Sequence, residues 1–328
     1  LYELDPGHRT WPAHYHTGNE EALYVLDGEL RLWYGPLDDR AEFGLVSGDY
    51  VALPTGPAHA HEVEAAGDDT ARFLVASTMH EPDFTVLDGS GDVERMAHLV
   101  AGDAPGEYEA RYVSRTVDFD AEVPYWDDDS STDDGGGADD EDDGGVHEDG
   151  PHEGDSASQD GDTSVVDDHV VSVDALAWDE YDPPREGHCF RRKQLGAAAG
   201  GVELGTSLYD VPPGSRTWLP HYHTGNEEAI YVLDGEGTVV LGVDLESQGI
   251  SAGDYVALPR GEVGYHDVVA GEAGLRYLLV STMEEPDITV YPDDGQVGLY
   301  AGSAPGGDPD ARSLSRSLDL TAEVDYWE

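Results

Sequence analysis

Positive charge is scarce in this chain. Of its 328 residues, 16 are Lys or Arg and 71 are Asp or Glu, a formal net charge of −55. Lys193 is the sole lysine. A surface of that sign repels phosphates, which excludes a nucleic-acid binder working through a basic face and a polybasic membrane anchor. Long apolar runs are missing as well. No stretch approaches the ~20 residues that a membrane-spanning helix needs. Cysteine is nearly absent: Cys189 has no intrachain partner for a disulfide and reads as a small buried apolar residue.

The acidity is only partly local. Residues 127–168 hold 18 Asp and Glu and no Lys or Arg. Outside that stretch 53 acidic residues still face all 16 basic ones. At molar salt the Debye length is about 3 Å, so self-repulsion that weakens a fold in dilute buffer is screened. An acidic, Lys-poor, Ala- and Gly-rich surface resembles that of proteins from halophilic archaea that accumulate salt internally. The charge is therefore read as adaptation to solvent, and the expected localisation is cytoplasmic.

Internal repetition decides the architecture. LYELDPGHRTWPAHYHTGNEEALYVLDGE (residues 1–29) recurs as LYDVPPGSRTWLPHYHTGNEEAIYVLDGE (residues 208–236). SGDYVALPTG recurs as AGDYVALPRG, STMHEPDFTV as STMEEPDITV, and AEVPYW as AEVDYW. The expected domains are a first barrel over residues 1–126, a linker over 127–164 and a second barrel over 165–328. Residues 169–207 have no counterpart ahead of the first copy, so the first barrel is expected to be truncated at its N-terminus by about 40 residues. The linker is rich in Asp, Gly and Ser and cannot bury enough surface to offset its ordering entropy, so it is expected to be disordered. Each copy consists of short apolar runs broken by Gly, Pro, Asn and Asp. ALYVLDGELRLWYG reads as two strands joined at Asp27-Gly28, a hairpin signal. The fold class is all-β, a sandwich or barrel.

Each copy holds His-x-His followed by an acidic pair: His14, His16, Glu20 and Glu21, and His221, His223, Glu227 and Glu228. In a strand, residues two apart share a face, so two imidazoles stand side by side at ~7 Å backbone spacing. That suits two ligands converging on one ion at about 2.1 Å each. If Glu21 faces inward, so do Leu23 and Val25; if Glu228 does, so do Ile230 and Val232. Both faces are apolar enough that parity leaves the choice open. Arg9, Trp11, Arg216 and Trp218 have the opposite parity to the histidines and are expected on an outer face or an interface. No general acid is visible among the inward positions.

These stretches resemble the cupin superfamily, whose first motif is G-x5-H-x-H-x3,4-E-x6-G. Glu21 lies in the motif's spacing before Gly28, and Glu228 in the same spacing before Gly235. The leading glycines, Gly7 and Gly214, are displaced by one residue. The second motif, G-x5-P-x-G-x2-H-x3-N, is matched by Gly48, Pro54 and Gly56, and by Gly253, Pro259 and Gly261. Its histidine falls on His59 in the first copy but on Gly264 in the second. The histidine present in both copies is His61 and His266. His59 and His61 share a face if the strand is continuous, and His61 is preferred because its equivalent survives.

The resemblance implies a two-domain cupin, a bicupin, of double-stranded β-helix barrels. The EPDxTV and AGxAPG tails resemble a poorly characterised cupin group, so activity does not transfer with the fold. The implied ligand sets are His14, His16, Glu21 and His61, and His221, His223, Glu228 and His266. Each would hold one divalent transition metal, Fe, Mn, Ni or Zn, with one or two positions open. The expected function is a metal-dependent, dioxygenase-type oxidoreductase acting on a small organic substrate. The alternatives are a non-catalytic metal- or ligand-binding sensor and a metal-dependent sugar isomerase or decarboxylase. Expected partners are a small-molecule ligand, the other barrel of the same chain through outer sheet faces, and a second copy in a homo-oligomer.

Overall fold

The computed structural model describes residues 1–89, 92–102, 113–121 and 168–325. The expected disordered linker, 127–164, lies outside them. The described chain is all-β in class, with one short α-helix, Leu195–Ala198. No helix among the described residues is long and apolar enough to cross a membrane.

Each copy folds as two sheets facing one another. In the first, a sheet of five strands runs in the order Tyr2–Leu4, Ala71–Ser77, Glu21–Asp27, Asp49–Leu53 and Val170–Ser172. The opposing sheet of seven places His14–His16 between Asp83–Asp88 and Ala60–Ala65. In the second copy, Glu228–Leu241 and His266–Ser281 are long strands that run through the corner in one piece. Their pairing is interrupted by register shifts around Asp234 and Gly235.

The expected hairpin at Asp27-Gly28 does not form. Glu21–Asp27 pairs with Ala71–Ser77 and Asp49–Leu53, whereas Glu29–Gly35 pairs with Ala41–Val46 and Ala60–Ala65 in the other sheet. Gly28 is a corner between sheets. It has φ 82°, and a Cβ there would stand 2.8 Å from the Ala71 Cα, so the turn requires glycine twice over.

The parity question resolves because both faces of Glu21–Asp27 are buried, in different places. Leu23 and Val25 enter the first barrel's core with Leu30, Leu32, Tyr34 and Phe73. Ala22 and Tyr24 join Tyr50, Ala52, Leu195, Leu204, Leu208 and Leu278 in a separate core between the two barrels. In the second copy Ile230 and Val232 likewise point into the barrel.

The strand Val170–Ser172, grouped with the second barrel on sequence grounds, adds instead to the first barrel's sheet, opposite Asp49–Val51. Strand Asp49–Leu53 would otherwise end that sheet with an open row of backbone donors and acceptors. The contact continues through Glu20, whose buried carboxylate accepts hydrogen bonds from the backbone N–H groups of Val202, Glu203 and Leu204 at 3.0–3.1 Å. The Tyr50 hydroxyl donates to Thr206 Oγ1 at 3.1 Å.

Candidate metal centres

In the first copy, His14 and His16 project from one short strand, and His61 lies directly opposite His14 on the neighbouring strand. The turn after His16 brings Glu21 alongside. His61 Nε2 stands 3.2 Å from Glu21 Oε2, and His16 Nε2 stands 3.7 Å from Glu21 Oε1. His14, His16 and Glu21 each offer a ligand atom within 4.8 Å of the others. The second copy repeats the arrangement. His223 and His266 Nε2 lie 3.7 and 3.5 Å from Glu228 Oε2, and His221, Glu228 and His266 form a group within 4.8 Å. His221 and His266 face each other across a β-bridge.

All six histidines are held the same way round. The Nδ1 atoms of His14, His61, His221 and His266 contact the carbonyls of Pro12, His59, Leu219 and Gly264 at 2.6–3.1 Å. A carbonyl only accepts, so each Nδ1 carries the proton and each Nε2 presents a lone pair. His16 and His223 direct Nδ1 at the carboxylates of Asp83 and Asp287, at 2.6 and 2.7 Å.

In each copy the remaining histidine, His61 or His223, lies beside the same glutamate, and Glu228 Oε2 is buried without a hydrogen-bond partner. A divalent cation would satisfy such a donor set. Three nitrogens and one oxygen fit Fe, Mn, Ni or Zn.

Electrostatics divides the histidines into two groups. Burial, reinforced by His61, pulls His14 down to about 4, and burial with His266 and His223 pulls His221 well below its usual value. Both are neutral and ready to ligate at neutral pH. Burial opposes charge on His16 and His223 too, but Asp83 with Glu21, and Glu228 with Asp287, outweigh it and push both up. Burial likewise opposes the Asp83 carboxylate, yet the His16 contact holds it down at about 2.

His59 does not join His61. Pro57–His59 is a 3-10 turn, which breaks strand parity, and the ring turns away to meet the Tyr34 hydroxyl at 2.6 Å and His169. Arg9 and Trp11 are exposed, as expected from their parity. Trp218 departs from that expectation. It packs on Tyr181 and Phe190, donates Nε1–H to the Tyr209 hydroxyl at 3.0 Å, and lines a cavity over the second centre.

That cavity measures about 1080 Å³ and has His221, His223, Glu228 and His266 in its wall. The apolar lining inferred from strand parity is incomplete. Tyr209, Tyr277 and Tyr291 also face it, with the Tyr291 ring 5.6 Å from His221. Burial pushes the phenols of all three up, so they stay protonated. The first copy has Phe73 and Leu87 in place of Tyr277 and Tyr291. These hydroxyls come from strands outside the His-x-His run, where inward parity cannot be read without the register.

Asp83 and Asp287 received no role from the sequence, although the signal was present in the repeated EPDxTV. Each also accepts from the turn after its His-x-His, Gly18 N–H at 2.8 Å and Gly225 N–H at 2.8 Å. A Cβ on Gly18 would stand 2.9 Å from the Pro82 carbonyl oxygen, so the aspartate needs glycine to approach.

Comparison with known proteins bears on the fold. The Cupin domain family model matches residues 1–77 and 207–281, one stretch in each copy. Among curated proteins, none matches the chain at a significant level. Similar solved structures include an oxalate decarboxylase of Bacillus subtilis, at 15% identity and TM-score 0.48, covering 88% of this chain and 69% of that one. An oxalate decarboxylase of Lactobacillus farciminis has 15% identity and TM-score 0.47, covering 88% and 77%. A sugar phosphate isomerase of Silicibacter pomeroyi has 21% identity and TM-score 0.39, covering 46% of this chain and 93% of its own. A Cupin domain match thus falls in each of the two histidine-bearing barrels, and the chain has the cupin fold.

Proposed function

We propose that the chain is a metal-dependent enzyme, a dioxygenase-type oxidoreductase whose working site is the second barrel and whose substrate is a small organic acid or diol. One observation carries the reading. The donor set of His221, His223, Glu228 and His266 lies in the wall of a 1080 Å³ cavity instead of being closed over by protein. A structural ion is enclosed by its ligands, whereas a catalytic ion keeps a face open.

When bound, a divalent ion supplies Lewis acidity and, if redox-active, an electron route to dioxygen. The chain's residues do the remainder. Three neutral imidazoles and one carboxylate would leave a bound divalent ion with residual positive charge, which favours an anionic or enolic oxygen donor. Trp218 and Tyr209 make an aromatic wall on one side of the cavity.

A second reading, a metal-dependent decarboxylase or isomerase, is favoured by Tyr277 and Tyr291. Their protonated hydroxyls stand in the same cavity and could deliver a proton. The acidic surface supports a salt-rich cytoplasm as the setting.

The test is metal content per chain on full-length protein folded in molar salt, followed by oxygen uptake with small acids and diols. About two equivalents of Fe, Mn or Ni, with substrate-dependent oxygen uptake that Glu228→Ala abolishes, is the expected result. Carbon dioxide or isomer without oxygen uptake selects the second reading. Unexchangeable zinc without turnover overturns both.

A further inference from the structure

The two copies present the same face to different surroundings. In the first, Glu20, Ala22, Tyr24, Tyr50 and Ala52 are buried. The repeat places Glu227, Ala229, Tyr231, Tyr255 and Ala257 at the equivalent positions. Glu227 and Ala257 are exposed, and Tyr255 is 66% exposed where Tyr50 is 1%.

Segment 168–208 accounts for the difference. Its strand Val170–Ser172 extends the first barrel's sheet, its 202–204 amides fill the Glu20 carboxylate, and its leucines lie against Tyr24 and Tyr50. The second barrel has the matching receptor surface. Strand Tyr255–Leu258 pairs with Glu228–Leu241 on one side and, among the described residues, with no strand on the other. Ala52 donates its N–H outward to the His169 carbonyl at 3.0 Å, so the Ala257 N–H at the equivalent register faces the open edge. An apolar cavity of about 200 Å³ lies where Ala229, Tyr231 and Tyr255 meet Tyr24 and Tyr50, continuous with the interface between the barrels.

We propose that this face of the second barrel is a docking site for an extended peptide segment of the same chemistry as residues 168–208. That chemistry is a β-branched strand followed by a glycine-containing turn with consecutive free backbone N–H groups. Strand addition along Tyr255–Leu258 supplies ladder hydrogen bonds, the turn amides add to the Arg260 guanidinium that Glu227 already faces at 3.7 Å, and Tyr255 supplies apolar area. A second copy of this chain fits less well. Edge-to-edge pairing would bring two Glu227 carboxylates together, on chains of net charge −55, and offer neither an amide donor.

The test titrates full-length protein in molar salt with a fluorescein-labelled synthetic peptide of residues 168–208, read by anisotropy. Saturable one-to-one binding is expected, absent for a scrambled peptide. It should weaken at least tenfold in Ala257→Pro, which removes the edge N–H, and in Tyr255→Ser, which alters only an exposed side chain. Circular dichroism checks that both variants fold. No binding to folded protein, or binding that neither variant changes, overturns the proposal. So does a dimer in light scattering that Tyr255→Ser converts to monomer, because that result gives the face to a second copy.

Discussion

His16 Nδ1 lies 2.6 Å from Asp83 Oδ2, and His223 and Asp287 repeat the pair at 2.7 Å. The aspartate fixes the ring, sets the tautomer that frees Nε2 and raises the basicity of the imidazole. Partners of this kind contribute about 10- to 100-fold in metal affinity. Asp287→Ala is expected to weaken metal binding at the second centre by about that factor, measured by competition against a chromophoric chelator. Thr289→Val, which removes a hydroxyl that touches both Asp287 and His223 Nδ1 but leaves the aspartate in place, should change it less.

The centres should load independently. His221→Ala combined with His223→Ala is expected to lower the metal content from two equivalents to one and to abolish turnover. The reciprocal pair, His14→Ala with His16→Ala, should also leave one equivalent but retain turnover at the second barrel. Metal analysis and oxygen uptake on the same preparations check both statements.

Acid should destabilise the metal-free protein. His14 is held down at about 4, and His221 and His266 are also lowered, chiefly by burial. Between the ordinary histidine value of about 6.5 and those lowered values the unfolded chain binds more protons, so stability falls as the pH drops through that window. His16 and His223 are raised and act in the opposite sense, holding stability below about 6.5 and losing it as the pH rises through their folded values. The lowered group is the larger, so the melting temperature should fall from pH 6.5 to pH 4.5. His221→Gln should flatten that fall.

Glu20 and Glu227 occupy equivalent positions and should behave differently. Glu20→Ala strands three backbone N–H groups between the barrels and is expected to cost about 2–4 kcal/mol. Glu227→Ala touches an exposed carboxylate and should stay within about 0.5 kcal/mol. Denaturant unfolding in molar salt compares them directly.

A chain of net charge −55 should gain stability with ionic strength. Its melting temperature is expected to rise monotonically from 0.1 M to above 2 M potassium chloride, with the steepest gain below 1 M.

Much of the fold was legible because it was written twice. The repeat located both barrels, and recurrence of His61 as His266 pointed to the histidine that lies beside Glu21. Parity failed for Glu21–Asp27 because hydropathy records burial, not which neighbour does the burying. Ala22 and Tyr24 are apolar for the sake of the other barrel. It failed at His59 and Trp218 because a 3-10 turn and an irregular approach to the strand break the alternation on which it rests. Tyr291 was hidden for another reason: its contact with His221 joins residues 70 positions apart in the chain, a pairing that only register reveals.

The donors that hold Glu20 belong to residues 202–204, and the strand that closes the first sheet is Val170–Ser172. During synthesis the ribosome therefore delivers the strands of the first barrel long before it delivers what they rest on. Until residue 204 has left the exit tunnel, Tyr24 and Tyr50 lack their apolar cover and Glu20 lacks its amides. A nascent product that stops short of residue 168 would therefore carry that apolar and acidic face uncovered, as the second barrel does, and be the more exposed to aggregation for it.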